Sequence, residues 1–369
     1  MTMNRSVIII TLLLLFSFSE AGAQGLKEVL GHYFLIGAAI NTEQAKGLDS
    51  MKTEVISDNF NSVVAEDCMK PESLQPVEGK FRWRKADRFV KFGRERGMAV
   101  IGHCLVWHSQ TKPWMFVDSL GQPASRQLLI DRMRTHIHTV VGHYKGKIKG
   151  WDVVNEAILD DGTMRPSPWY QIIGPDYIEM AFRFAHEADP DAELYYNDYS
   201  MANPMKRSAV CKLVHRLKEK GIRIDAVGMQ SHNGLDWPDL KEYENSIDAF
   251  AACGVKVMVT ELDLNVLPNP ESFGGAEVSQ HFEYSEEMDP YKNGLDDNTE
   301  QKINTRWLSL FQIYARHRHQ ISRITTWGVS DDDSWMNNWP IKGRTAYPLL
   351  FDRKYRQKPV IKDIYKLFR

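Results

Sequence analysis

Two glutamates sit where a carboxylate could do acid–base work. The run Trp151-Asp152-Val153-Val154 reads as a buried strand, and it ends on the polar pair Asn155-Glu156 as the chain turns toward its next helical stretch. A carboxyl delivered to the lip of a core is partly desolvated, and desolvation raises its pKa. A general acid working near neutral pH needs that shift. Roughly a hundred residues on, Lys256-Val257-Met258-Val259-Thr260 is another strand-like run, with Glu261 and then Asp263 at its polar end. Two carboxylates facing one cleft are what glycoside hydrolysis requires. Either glutamate alone reads equally as a helix cap or an ion-pair partner. The pair, with the neighbours described below, reads as a site.

The elements that must position them recur along the chain. Strand-like runs fall at 33–40, 62–66, 99–107, 148–156, 193–199, 226–232, 256–264 and 321–329. Helical stretches fall at 44–57, 84–97, 125–146, 175–189, 203–220, 240–252 and 299–319, with a last one at 358–368. Several open on N-terminal signals such as Ser125 and Asn203-Pro204, and several close on a glycine such as Gly97 or Gly221. Strands alternating with helices imply parallel pairing, and eight units close into a (β/α)8 barrel. The strand runs are continuously apolar, as expected when both faces are covered. A doubly wound open sheet is the competing topology. It usually carries a glycine-rich phosphate turn after the first strand, and Gly37-Ala38-Ala39-Ile40-Asn41 is not one.

The 369 residues suit one large domain, and no linker or repeat divides them. A net charge of −2 gives no basic footprint for nucleic acid. Ten Trp and fourteen Tyr suit either a large core or a cleft that holds a partly apolar ligand. Residues 1–23 read as a signal peptide: Arg5, an apolar run from Val7 to Phe18, and the small-residue site Ala21-Gly22-Ala23. The expectation is export, to a periplasm or beyond, with a domain over 24–369 and no membrane attachment after cleavage. A retained anchor is the alternative, but the apolar run is short for a span. Cys68, Cys104, Cys211 and Cys253 show no CxxC spacing and read as buried thiols, with one disulfide still open. The stretch 265–298, rich in Pro, Gly, Asn and acids, is long for a loop and would overhang the catalytic face of a barrel.

Barrel active sites lie at the C-terminal strand ends, and those ends are polar here. They carry Glu66, Asp67 and Lys70; His103, Trp107 and Gln110; Asn155 and Glu156; Asn197-Asp198-Tyr199; Gln230 and His232; Glu261 and Asp263; and Trp327 with Trp335. The runs HCLVWHSQ, WDVVNEA, YNDY, GMQSH, VTELDL and TTWGVSDDDSW resemble the strand-end motifs of glycoside hydrolase family 10, the endo-1,4-β-xylanases. The resemblance covers essentially the whole chain after the leader, with the motifs in order.

That resemblance implies a retaining reaction with Glu156 as acid/base and Glu261 as nucleophile. His232 and Asp263 would hold Glu261 ionised, and Asn155 would bond Glu261 or the 2-hydroxyl of the sugar it attacks. Glu66, Asp67, Lys70, His103, Trp107, Gln110 and Gln230 would read hydroxyls on the glycone side. Trp327 and Trp335 would wall the scissile site, while Tyr199 would support it from below or bind on the aglycone side. Asp67 departs from the family's usual Asn and, when ionised, loses a donor. Pro113 also stands closer to Trp114 than the family spacing.

The implied partner is xylan, met by a monomer that needs no cofactor and no metal. A barrel cutting a β-glucan is the nearest rival, and a non-catalytic xylan-binding protein is a second. A metalloenzyme is a third, but no HExxH is present.

Overall fold

Eight parallel strands close into a ring: β1 (Leu35–Ile40), β2 (Ser62–Ala65), β3 (Ala99–Trp107), β4 (Gly150–Asn155), β5 (Glu193–Asp198), β6 (Ala226–Met229), β8 (Lys256–Asn265) and β9 (Ile321–Thr326). Each pairs with its sequence neighbour in the ring, β6 pairs directly with β8, and β1 closes on β9. A three-residue strand, β7 (His232–Gly234), rides on the end of β8. The structure is a computed structural model that describes residues 24–271, 273 and 278–369. The signal-peptide reading lies outside the described residues.

Successive strand residues face opposite sides of the wall, so the barrel has two apolar layers. Val63, Val100, Leu194 and Val257 point outward to helix residues such as Phe89, Ile137, Phe182, Val214, Phe250 and Trp307. Their neighbours Val64, Ile101, Tyr195 and Met258 point inward and pack with Ala39 and Ala226 beneath Trp327. Each fully buried aliphatic or aromatic side chain contributes roughly 1.5–3 kcal/mol. Inside the barrel, these residues fill the end away from the catalytic rim. The polar strand ends are left for the mouth.

The outer helices begin where the sequence signals them. Ser125 caps Arg126–His143 through Leu128 N, and Asn203 caps Pro204–Glu219 through the amides of Met205 and Lys206. The stretch expected as one helix at 44–57 is broken: Gly47 takes a left-handed φ of 65° between a short 3-10 turn (Gln44–Lys46) and the helix Ser50–Asn59. Three further helices, Leu26–Leu30, Pro71–Leu74 and Pro168–Ile173, escape the sequence reading. They are too short to show a helical period. The sixth strand also stops earlier than the expected 226–232. It ends at Met229, and His232 opens β7 instead.

Candidate active site

Register lines up the chemistry. Trp107 on β3 lies opposite Asn155 on β4, and Asn155 lies opposite Asn197 on β5, so the three side chains leave the rim side by side. Register shifts in β3 and β4, and the one in β8 between Val259 and Leu262, fall toward this rim, where bulges re-aim side chains.

Glu156 follows β4 directly with a φ of 59°, a left-handed conformation rare for a residue with a side chain. Its backbone is pinned on both sides: its N–H donates to Asn197 O at 2.9 Å, and Arg165 Nε donates to its carbonyl at 2.8 Å. The carboxylate accepts from Trp107 Nε1 (2.9 Å) on one oxygen, and from Gln230 Nε2 (2.9 Å) and Asn155 Nδ2 (3.2 Å) on the other. Burial pushes its pKa up, aided by the negative charges of Asp198 and Glu261. The Gln230 and Trp107 bonds pull the other way without reversing the shift.

Glu261 is the opposite case. One oxygen accepts from Asn197 Nδ2 at 2.8 Å, and the other meets His232 Nε2 at 3.3 Å. Burial pushes this carboxyl up, but the His232 bond, the charges on His103 and His232, and the Asn197 bond together take it below the ordinary value. His232 is set by Asp263, which meets its Nδ1 at 2.9 Å and also accepts from Trp335 Nε1 at 2.9 Å. Burial alone would lower the His232 pKa, but Asp263 and Glu261 raise it to about 10.

Two amides connect the glutamates. Asn155 donates to Glu156, and its oxygen accepts from Asn197 Nδ2 at 2.9 Å, while Asn197 also donates to Glu261. Thr260 fixes the second amide by donating to Asn197 Oδ1 at 2.6 Å. Of the two partners expected for Asn155, Glu261 or the 2-hydroxyl of the sugar, the first is bonded by Asn197 instead. Asn155 serves Glu156, its neighbour in sequence.

A buried ion pair lies beneath. Asp198 and Lys206, both fully enclosed, meet at 2.8 Å, and the Lys206 ammonium sits 3.5 Å from the centre of the Tyr199 ring. Tyr199 accepts from Arg165 Nη2 at 2.6 Å. His108 stands 3.9 Å from Glu156, and burial together with Arg165 and Lys206 holds its pKa near 3, so it is neutral.

The cleft encloses about 390 Å³. Of the residues singled out in the sequence, Lys70, His103, Trp107, Asn155, Glu156, Tyr199, Gln230, His232, Glu261, Trp327 and Trp335 line it. Asp263 lies fully buried behind His232. Glu66, Asp67 and Gln110 are not part of the lining: Asp67 is exposed and paired with Lys70 at 3.0 Å, and Gln110 reaches toward Glu72. Glu66 stays at the rim, where burial and the charge of Asp67 raise its pKa to about 7 against the pull of Lys70.

The expected overhang by the 265–298 stretch is present in its described part: Asn265, Asn269, Phe273 and Val278 join Trp339, Pro340 and Arg344 in the cleft wall. Trp339 donates to Val278 O at 3.0 Å and stacks on Trp335 at 4.8 Å. Among the described residues, no His, Cys, Asp or Glu cluster is placed to hold a metal ion, and no helix is long and apolar enough to cross a membrane.

This geometry has close relatives. Residues 25–367 match the profile of Glycosyl hydrolase family 10. Endo-1,4-beta-xylanase A of Xylanibacter ruminicola is 58% identical over 343 residues, covering 93% of each chain. Endo-1,4-beta-xylanase of Geobacillus stearothermophilus is 39% identical over 341 residues, covering 90% of this chain and 96% of its own. A solved endoxylanase of the same family, from a sugarcane soil metagenome, superposes with a TM-score of 0.88 at 44% identity, covering 93% of this chain and all of the other.

Proposed function

We infer the activity from one premise: the chain belongs to glycosyl hydrolase family 10. It is an endo-1,4-β-xylanase that cuts internal β-1,4-xylosidic bonds of xylan with retention of configuration. The division of labour between the two glutamates rests on a single observation. In one buried network, burial pushes the Glu156 pKa up, while the His232 and Asn197 bonds and the histidine charges take the Glu261 pKa below its ordinary value. Carboxyls whose surroundings push their pKa values apart take the acid and base roles.

Glu261 attacks the anomeric carbon, forming a glycosyl ester as the bond to the leaving oxygen breaks. Glu156 gives that oxygen its proton. Esterification removes the Glu261 charge that raises the Glu156 pKa, so Glu156 becomes the better base for the incoming water. It takes the water's proton as the ester breaks and Glu261 regains its charge. His232, oriented by Asp263, keeps Glu261 anionic and faces the same cleft, while Asn155 and Asn197 fix the carboxylates relative to each other. Lys70, His103, Trp107 and Gln230 supply the polar wall for the glycone, and Trp327 and Trp335 the aromatic one. Export of the chain and a monomeric state belong to this proposal: the apolar leader supports the first, and a cleft built from one chain's own residues supports the second.

Aryl β-xylobiosides test the roles. Glu156→Ala should cleave a nitrophenyl substrate, whose leaving group needs no proton, far better than xylan, and added azide should be captured as a β-xylobiosyl azide. Glu261→Ala should lose both activities by several orders of magnitude. Near-normal xylan cleavage by Glu261→Ala would overturn the assignment.

A further inference from the structure

A cavity of about 510 Å³ opens at the end of the barrel opposite the catalytic rim. The first residues of β5, β6, β8 and β9 wall it. Tyr195, Ala226 and Met258, inward-facing members of the barrel's apolar layer, form its roof and divide it from the mouth where Glu156 and Glu261 work.

The charges in its wall do not balance. Lys149 meets Glu193 at 2.7 Å and Arg223 meets Asp225 at 3.0 Å, so each carboxylate has a cation of its own. Glu193 also accepts from the Tyr195 hydroxyl at 2.7 Å, and Asp225 from Leu194 N–H at 2.8 Å. Two further cations, Lys256 and Arg323, face the same space, and among the described residues neither pairs with a carboxylate. Lys256 stands on the exposed lip and donates to His319 O at 2.9 Å.

Arg323 lies deep inside, only 2% exposed. A guanidinium cannot shed its proton, and a buried charge without a counter-charge is costly. Its Nη1 donates to Thr325 Oγ1 at 2.9 Å, its Nη2 reaches the Met258 sulfur at 3.6 Å, and its Nε has no partner among the described residues. The Tyr195 ring centre, 5.9 Å from the guanidinium carbon, adds a weak cation–π contact. Asp152, the inward acid of β4, is held by His103 at 2.9 Å. A thioether is a weak acceptor, so the Nε–Nη2 edge keeps two N–H groups for a ligand. Side by side, they have the geometry that grips two oxygens of one oxyanion.

We propose that this cavity binds a phosphate-type dianion, free or as a small ester, held side-on by Arg323 from within and by Lys256 at the lip. Two negative charges match the two positive charges that the wall leaves over. The site stands apart from the xylanase reading, and the failure of either leaves the other intact.

The test is a calorimetric titration of the purified protein with inorganic phosphate, with chloride at matched ionic strength as the monoanionic control. The wild type should bind phosphate saturably, one ion per chain. Arg323→Met should bind about tenfold more weakly and Lys256→Gln about threefold, while Lys256→Gln cuts xylan at the wild-type rate. An ion that binds the folded chain alone raises its Tm, so phosphate should raise the Tm of the wild type more than that of Arg323→Met. The difference is what counts, because phosphate also stabilises proteins through exclusion from their surface. Glycerol phosphate identifies the source: tighter binding than phosphate assigns the cavity to an ester, weaker binding to the free ion, and either supports the site. No saturable binding by the wild type, or an unchanged affinity in either variant, would overturn it and leave water as the partner of the guanidinium. Lys256→Gln decides the matter if Arg323→Met does not fold.

Discussion

At the scale of single residues, the protonation state of Glu156 is a balance that one indole helps to set. Trp107 Nε1–H donates to the carboxylate at 2.9 Å, and a donor bonded to the ionised form favours that form. Trp107→Phe keeps an aromatic ring in a smaller volume and removes the donor, so the Glu156 pKa should rise further. The active enzyme needs Glu156 protonated, so the alkaline limb of the kcat/KM–pH profile should move to higher pH. The acid limb, set by Glu261, should stay in place. A downward move of the alkaline limb would contradict the account. The sequence makes Glu156 and Glu261 legible because each follows an apolar strand run, but it does not show which neighbour serves which. Asn155 adjoins Glu156 in sequence and serves it. Asn197 reaches Glu261 only because strand register places it there. Gln110 takes a left-handed backbone (φ 43°) and its side chain reaches toward Glu72, a conformation that its place in HCLVWHSQ does not announce.

At the scale of elements, the site depends on how closely β5 and β6 approach. Gly228 on β6 faces Asn197, and a Cβ there would fall 2.4 Å from Asn197 Oδ1 and 2.8 Å from Thr260 Cγ2. Gly228→Ala must therefore displace the amide that holds Glu261. Overpacking of this kind costs about 1–3 kcal/mol, and a displacement near 1 Å at a reacting group costs on the order of a hundredfold in rate. The expected result is a folded protein with a lower Tm and a kcat reduced far more than its KM is raised. Full kcat would mean that Asn197 does not position the nucleophile. The strands were legible as continuous apolar runs, and most helices by their caps. What stayed hidden is short or conformational. Pro168–Ile173 is below the length that shows a period, and Glu156, Ser200 and Ser231 take positive φ without being glycines. Such turns follow from the closed barrel around them, and local composition does not announce them.

At the scale of the whole molecule, the closed barrel buries titratable groups that folding holds in one state, and these set the pH range of stability. The alternation that made a two-layered barrel legible says little here, because a histidine in an amphipathic helix reads as either surface or core. His136 is core: it is 2% exposed, meets Gln75 Oε1 through Nδ1 at 2.8 Å, and burial pushes its pKa down to about 4. Below its ordinary value of 6.5, the unfolded chain gains a proton that the folded chain refuses, so stability falls with falling pH until about 4. At roughly 1.4 kcal/mol per pH unit, that one ring removes about 3 kcal/mol across the window. His232 acts in the other direction. Its pKa is raised to about 10, so its contribution is complete below 6.5 and is lost as pH rises through 10. With these two rings alone, stability is greatest near pH 6.5 and declines on either side. Urea midpoints measured from pH 4 to pH 8 for the wild type and His136→Gln test the acid side. The variant keeps a donor for Gln75 but has no ring to titrate, so its midpoint should decline less steeply below pH 6.5. Parallel curves would show that His136 is protonated in the folded protein and that other groups govern its unfolding in acid.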